Sequence, residues 1–182
     1  MSHIKLAQPL PGIIGLLVTY PETAAPLTDL AETLLRKASP TFTSAERELV
    51  ASYVSYLNDC VFCSESHAAA ANHYADKAQW AQGVWADPNG KAPSERTRAL
   101  LMIAAKVQSM NFKAVTKDDV NQALGLGATE NDIHDTVLIA AAFCMYNRYV
   151  DGLGTLCPPR GDAAYVGMGQ QLAVVGYKRE RD

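Results

Sequence analysis

The segment from Thr43 to His67 constrains the fold of this chain more than any other, because it predicts two helices joined by a very short link. Thr43-x-x-Glu46 is a capping-box pattern, which marks the start of a helix. The apolar residues that follow recur at helical spacing as far as about Asn58, namely Leu49, Val50, Tyr53, Val54 and Leu57. Asn58 and Asp59 are both good helix-starting residues, so a second helix is expected to begin there. The sequence therefore predicts an antiparallel helix hairpin over residues 43–80.

Two thiols and an imidazole follow the link. Cys60, Cys63 and His67 stand at i, i+3 and i+7, so they are expected to share one face of the second helix. Two Cα atoms three residues apart on a helix are roughly 5 Å apart, within the range that a disulfide tolerates. At a helix start the positive end of the macrodipole favours a thiolate, and the imidazole four residues after Cys63 can accept its proton. This pattern is typical of a thiol–disulfide redox centre.

Glu48 on the first helix is the expected partner of the imidazole. Folding about residue 58 brings position 48 level with about position 68, so the Glu48 carboxylate is expected to face His67. A carboxylate that orients a histidine, which in turn activates a nucleophile, follows the logic of a catalytic triad. The predicted catalytic residues are therefore Cys63, Cys60, His67 and Glu48.

The spacing Glu48-x11-Cys60-x2-Cys63-x3-His67 resembles the core motif of the AhpD-like alkylhydroperoxidases, within the carboxymuconolactone decarboxylase superfamily. Three further segments look like the branch of that superfamily called peroxidase-related enzymes. They are Glu46-Arg47-Glu48-Leu49, Tyr20-Pro21-Glu22 and Asn147-Arg148-x3-Gly152-x-Gly154. The resemblance covers most of the chain. It departs from the well-studied alkylhydroperoxidases at Phe62, where they carry a second histidine.

The resemblance implies an activity and a set of roles. Cys63 would be the thiolate that attacks a hydroperoxide, Cys60 the resolving thiol, and Glu48 with His67 the proton relay. The implied enzyme is an alkylhydroperoxidase-like peroxidase with no cofactor and no metal. A dithiol partner of lipoyl or thioredoxin type would reduce it, and the protein would be a homo-oligomer.

Three other interpretations of the same residues remain open at this point. Cys60, Cys63 and His67, with Glu48 or water, could bind a zinc ion, although structural zinc usually takes ligands from two separated segments. The scaffold could belong to a lactone decarboxylase-like enzyme, whose relatives generally lack paired thiols. A redox-switch protein would form the disulfide without turning over peroxide.

The rest of the chain predicts an all-α single domain, because no strand-period run of useful length occurs in its 182 residues, and the resemblance implies that this domain is AhpD-like. Residues 1–26 contain Pro9, Pro11, Pro21 and Pro26 and are expected to form an irregular N-terminal arm. A second helical half is predicted over residues 94–150. Scattered glycines and prolines predict an irregular C-terminal arm over residues 152–182.

Charge and hydropathy limit the classes of partner that the protein is expected to bind. The net charge of −3 argues against a nucleic-acid-binding surface. The first residues run into Pro9 without an apolar signal-peptide core, and no run approaches the ~20 apolar residues of a membrane span. We therefore expect a cytoplasmic protein without membrane contact, where a Cys-x-x-Cys pair is more often catalytic or metal-binding than a static crosslink.

Overall fold

The computed structural model describes residues 2–109 and 115–178, and within these ranges the chain is helical with no strand. The all-α prediction is thus confirmed. The helices of the described ranges are α1 Gly12–Thr19, α2 Pro21–Arg36, α3 Ser44–Leu57, α4 Val61–Ala75, α5 Trp80–Ala86, α6 Pro88–Lys91, α7 Glu95–Gln108, α8 Lys117–Gly125, α9 Glu130–Gly152 and α10 Ala164–Val174.

Helix α3 is the centre of the domain. Every residue from Glu46 to Ser55 is buried, and the helix packs against α2, α4, α5, α7 and α9. A helix that is surrounded on all sides must bury its polar residues as well as its apolar ones, and those residues then need internal partners. Glu48 is one of them, since its position on α3 gives it no access to solvent.

The predicted hairpin is present, with one correction at its turn. The Thr43 capping box forms as predicted, with Thr43 and Glu46 each bonding to the backbone N–H of the other. The second helix, however, begins at Val61 and not at Asn58 or Asp59. Asp59 adopts a left-handed conformation (φ 56°), which aspartate tolerates better than most residues, and this reverses the chain. Cys60 therefore caps α4 instead of lying within its first turn.

The N-terminal arm is more regular than predicted. Residues 12–19 form α1, and α2 already begins at Pro21, so the prolines do not keep residues 1–26 irregular. Pro21 occupies the first position of α2, where a backbone N–H has no helical partner and proline is well tolerated. Pro26 lies only one turn further along the same helix.

The C-terminal arm also contains a helix that the sequence did not predict. Helix α10 packs along α4, and a methyl group added at Gly169 would lie 2.4 Å from the backbone of Ala69. Glycine thus permits an approach between α10 and the alanine-rich α4 that any larger residue would prevent. Gly169 also weakens the sequence pattern that would predict this helix, because glycine has low helix propensity and adds no side chain to an apolar stripe.

The segment predicted as a second half, residues 94–150, contains α7, α8 and most of α9, and its residues 110–114 lie outside the described ranges. Ser94, Thr116 and Thr129 cap these three helices through their side-chain oxygens. A buried ion pair joins the halves, with the Arg47 guanidinium 2.8 Å from the Asp135 carboxylate.

Candidate active site

The hairpin brings two of the four predicted residues into direct contact. Glu48 on α3 and His67 on α4 meet across the helix pair, with Glu48 Oε2 2.8 Å from His67 Nδ1. The Glu48 side chain is fully buried and that of His67 is 12% exposed. The predicted contact between them is therefore confirmed. Because Nδ1 is engaged by the carboxylate, Nε2 is the nitrogen left for proton exchange with a nearby acid.

The second oxygen of Glu48 is also engaged, by a residue that the sequence analysis missed. The hydroxyl of Tyr177 donates a hydrogen bond to Glu48 Oε1 at 2.5 Å, and it lies 3.3 Å from His67 Nδ1. Burial, together with the neighbouring Glu48 charge, holds the pKa of Tyr177 well above its usual value, so the phenol stays protonated. The buried carboxylate consequently has a donor at each oxygen.

Aromatic rings hold the imidazole in place. The His67 ring lies edge-on to Phe143 at a centroid distance of 4.6 Å. On another side it stacks on Tyr177, with centroids 6.0 Å apart and planes 7° from parallel. A ring packed in this way and bound through Nδ1 has little freedom to rotate, which is the condition for a directional proton acceptor.

Both cysteines are reduced and lie in a small apolar cluster with Phe62, Val150 and Tyr165. Cys63 is in the first turn of α4, as predicted, and Cys60 is the residue that precedes the helix. A hydrogen bond to Cys63 and burial raise the pKa of Cys60 far above its usual value. Cys60 therefore keeps its proton at neutral pH.

A surface cleft of about 460 Å³ lies beside this cluster and is lined by Asn58, Asn147, Arg148, Asp151 and Gly152. Asp151 connects the cleft to the thiols because its carboxyl group accepts a hydrogen bond from Cys60. Burial raises the pKa of Asp151, and the Cys60 hydrogen bond opposes part of that rise. The Asn147-Arg148-x3-Gly152 segment, noted in the sequence only for its resemblance, thus forms a wall of the cleft.

The amides of the cleft are fixed to the hairpin. The Asn58 side chain donates to Asn147 Oδ1 at 2.8 Å, and the Asn147 amide donates to the Ser55 hydroxyl at 3.0 Å. Asn147 is buried, so these bonds tie α9 to the end of α3 immediately before the cysteine pair.

The remaining histidines and cysteines stand apart from the relay. His73 and His134 are exposed. Cys144 is half-buried against the core and lies 3.6 Å from the Asn58 amide. Cys157 is exposed, with its sulfur 3.7 Å from the Tyr165 hydroxyl at the edge of the cysteine cluster.

The zinc interpretation finds no support in this geometry. In residues 2–109 and 115–178, no group of three or more histidine, cysteine or acidic side chains is arranged to hold a metal ion. Glu48, the proposed fourth ligand, instead binds His67 and Tyr177.

Among the helices that the structure describes, none has the length and apolar character needed to span a bilayer.

Comparison with known proteins adds independent evidence. The model of the carboxymuconolactone decarboxylase family matches residues 21–100, which include α3 and the whole cysteine motif. A search of curated proteins found no match.

Solved structures share the fold over most of the chain. A peroxidase-related protein from Ralstonia eutropha JMP134, described as an alkylhydroperoxidase AhpD core, is 25% identical with a TM-score of 0.76, over 88% of this chain and 82% of its own. A peroxidase-related protein from Silicibacter sp. TM1040 is 23% identical with a TM-score of 0.75, over 87% of this chain and 80% of its own. A protein of unknown function from Agrobacterium tumefaciens, provisionally described as the antioxidant defence protein AhpD, is 18% identical with a TM-score of 0.69, over 82% and 99%.

The fold and the cysteine hairpin thus define an AhpD-like helical protein. Over residues 21–100 the chain is similar to the carboxymuconolactone decarboxylase family, and it shares its fold with these structures.

Proposed function

We propose that this protein is a thiol-dependent hydroperoxide reductase in which Cys63 is the peroxide-attacking residue. The observation that carries the proposal is the hydrogen bond between the buried Glu48 carboxylate and His67, one turn of α4 away from a reduced Cys-x-x-Cys pair. A histidine held by a buried carboxylate one helical turn from a thiol suits the activation of a cysteine nucleophile.

In the proposed first step, the Cys63 thiolate attacks the terminal oxygen of a hydroperoxide. The O–O bond breaks, Cys63 becomes a sulfenic acid, and the alkoxide leaves as an alcohol after taking the proton held by His67. Both oxygens of Glu48 are engaged, by His67 and by Tyr177, so the carboxylate is held in place against the imidazole that carries that proton.

In the proposed second step, the Cys60 sulfur attacks the Cys63 sulfenic acid, so that a disulfide forms and water leaves. Asp151 is the group positioned to accept the Cys60 proton, because it already accepts its hydrogen bond, and that proton then passes to the leaving hydroxide to give water. A dithiol reductant then returns two electrons to the pair by exchange. We expect a lipoyl- or thioredoxin-type donor and a homo-oligomeric assembly.

Access to the sulfur is part of the proposal. Cys63 is 4% exposed and Cys60 is fully buried, so the residues that cover them must move to admit a peroxide. Asp151 lines the cleft and interacts with Cys60, and we propose that substrate and reductant both approach through this cleft.

The test is a single turnover. Pre-reduced protein is mixed with one equivalent of cumene hydroperoxide, and residual peroxide and free thiols are counted. We expect one peroxide consumed and two thiols lost per chain, with neither change in Cys63→Ser. Cys144→Ser is the matched control and should behave as the wild type, because Cys144 lies outside the pair. Full peroxide consumption by Cys63→Ser would refute the proposal.

A further inference from the structure

The hydroxyl of Tyr177 reaches the relay from a part of the chain that belongs to neither helix of the hairpin. Tyr177 follows α10 and lies 129 residues after Glu48, yet it donates to the Glu48 carboxylate and stacks on His67. No other described residue makes hydrogen bonds to both the base-orienting carboxylate and the imidazole. Its contacts are therefore with the relay itself.

The segment that carries Tyr177 is fixed to α2. The Tyr177 backbone N–H donates to Glu32 Oε2 at 2.8 Å, and Glu32 also pairs with Arg36 at 3.0 Å. Gly176, with φ +97°, makes the turn from α10, and a methyl group added there would lie 2.6 Å from the Glu32 carboxylate. Only glycine fits both the left-handed conformation and that contact.

The end of α10 is held on the same side of the domain. Arg36 donates to the carbonyl groups of Leu172 and Ala173, and the Tyr74 hydroxyl donates to Ala173 O at 2.9 Å. These bonds satisfy carbonyl groups at the helix end that would otherwise lack a partner. The position of the Tyr177 ring is thus determined by α2 and α4, and not by the tail alone.

We propose that Tyr177 is a positioning residue of the proton relay, whose hydroxyl occupies Glu48 Oε1 and thereby keeps Oε2 as the acceptor that holds the His67 proton on Nδ1. The inference rests on the proposed function and adds a third member to the Glu48–His67 pair. With a donor at Oε1, the carboxylate has no need to take a proton from His67 to satisfy that oxygen. His67 then presents an unprotonated Nε2, the form that can receive a proton from a thiol.

A neutral donor suits this position. The ionisable groups around the Glu48–Tyr177 contact are His67 and Tyr74 from α4, Arg36 and Glu32 from α2 and Tyr177 itself. A cation bound directly to Glu48 would cancel the charge that attracts the imidazolium, whereas a phenol stabilises the carboxylate and leaves its charge in place. The raised pKa of Tyr177, caused by burial and by the Glu48 charge, ensures that this donor is present at neutral pH.

The test compares Tyr177→Phe with Tyr146→Phe. Both substitutions remove one buried tyrosine hydroxyl, but that of Tyr146 donates to the Leu27 carbonyl at 2.8 Å and does not reach the relay. The first readout is the ¹⁵N imidazole spectrum of reduced protein, which shows which ring nitrogen of His67 carries the proton. The chain contains four histidines, so His67→Gln assigns the signal. The second readout is the rate at which iodoacetamide alkylates Cys63 at pH 7, followed by peptide mass.

For Tyr177→Phe we expect the share of His67 with its proton on Nε2 to rise and alkylation of Cys63 to slow roughly tenfold, the factor expected for one lost hydrogen bond to a charged group. Tyr146→Phe should match the wild type in both readouts. The inference is overturned if Tyr177→Phe leaves the tautomer unchanged and the rate within twofold, or if both variants slow equally. Neither readout uses a peroxide, so a wild type that consumes no hydroperoxide would refute the proposed function while the spectra still decide the role of Tyr177.

Discussion

Replacing Glu48 by glutamine is the sharpest single perturbation of the relay. The side chain is fully buried, and both of its oxygens accept hydrogen bonds, from Tyr177 and from His67. Glutamine has the same shape but offers one acceptor and one donor group, so only one of the two incoming donors can be satisfied. The His67 ring can relieve the conflict by moving its proton to Nε2, which removes the base.

The magnitude follows from these contacts. A hydrogen bond to a charged group contributes roughly 1.5–3 kcal/mol, and about 1.4 kcal/mol corresponds to a factor of ten in rate. Loss of one such bond to His67 therefore predicts a fall of roughly 10- to 100-fold in the rate of hydroperoxide consumption. The equivalent Asp-to-Asn change in the triad of serine proteases lowers kcat by about 10⁴, so a fully triad-like site would lose more activity than this.

The assay is the rate of cumene hydroperoxide loss under single-turnover conditions with pre-reduced protein. Glu130→Gln is the matched control, because Glu130 is an exposed carboxylate in the first turn of α9, away from the relay. Circular dichroism should show that both variants retain their helices. A folded Glu48→Gln protein that reacts within twofold of the wild type would refute the relay.

The remaining predictions concern stability and the resolving thiol. Asp135→Asn should destabilise the protein by roughly 3 kcal/mol in urea unfolding at pH 7, because it leaves the buried Arg47 without its counter-charge; a loss below about 1 kcal/mol would contradict this reasoning. Burial raises the pKa of Asp135, but hydrogen bonds from Arg47 and His134 and the Arg47 charge lower it overall. The ion pair therefore contributes its full stability above the unfolded pKa of about 4. The difference in unfolding free energy between wild type and variant should shrink as the pH falls below that value. Gly169→Ala should lower the melting temperature by forcing α10 away from α4, at a cost of roughly 1–3 kcal/mol. Gly167→Ala on the same helix has open space around it and should stabilise the protein by about 0.5–1 kcal/mol. Equal shifts in the two variants would contradict the close packing of α10 on α4. Cys60→Ser should still consume one equivalent of peroxide but lose only one thiol, and loss of a second thiol in that variant would show that another cysteine resolves the sulfenic acid.

The hairpin and its Glu48–His67 contact were predictable because they depend on local spacing. A capping box, an apolar stripe and the i, i+3, i+7 pattern all lie within one continuous segment, and helix geometry converts them directly into positions. The start of α4 was wrong by two to three residues because the turn depends on the left-handed conformation of Asp59, which no periodicity reveals.

Contacts between distant parts of the chain were not predictable in the same way. The sequence pattern of α10 predicts a helix only weakly, because Gly169 allows close packing against α4 and adds no apolar side chain. Tyr177 and Asp151 reach the site only after α10 and α9 have packed, and no spacing relates either residue to the hairpin. Sequence reasoning thus predicted the Glu48–His67 contact, while the packed structure revealed the groups around it.

The central claim is that Cys63 is the sulfur that attacks the peroxide. It is tested most directly by treating reduced Cys60→Ser protein with one equivalent of cumene hydroperoxide in the presence of dimedone and mapping the adduct by peptide mass spectrometry. The account predicts one dimedone adduct per chain, on Cys63, because the sulfenic acid forms there and has no resolving thiol. An adduct confined to Cys144 or Cys157, or peroxide consumption without any adduct on Cys63, would contradict it.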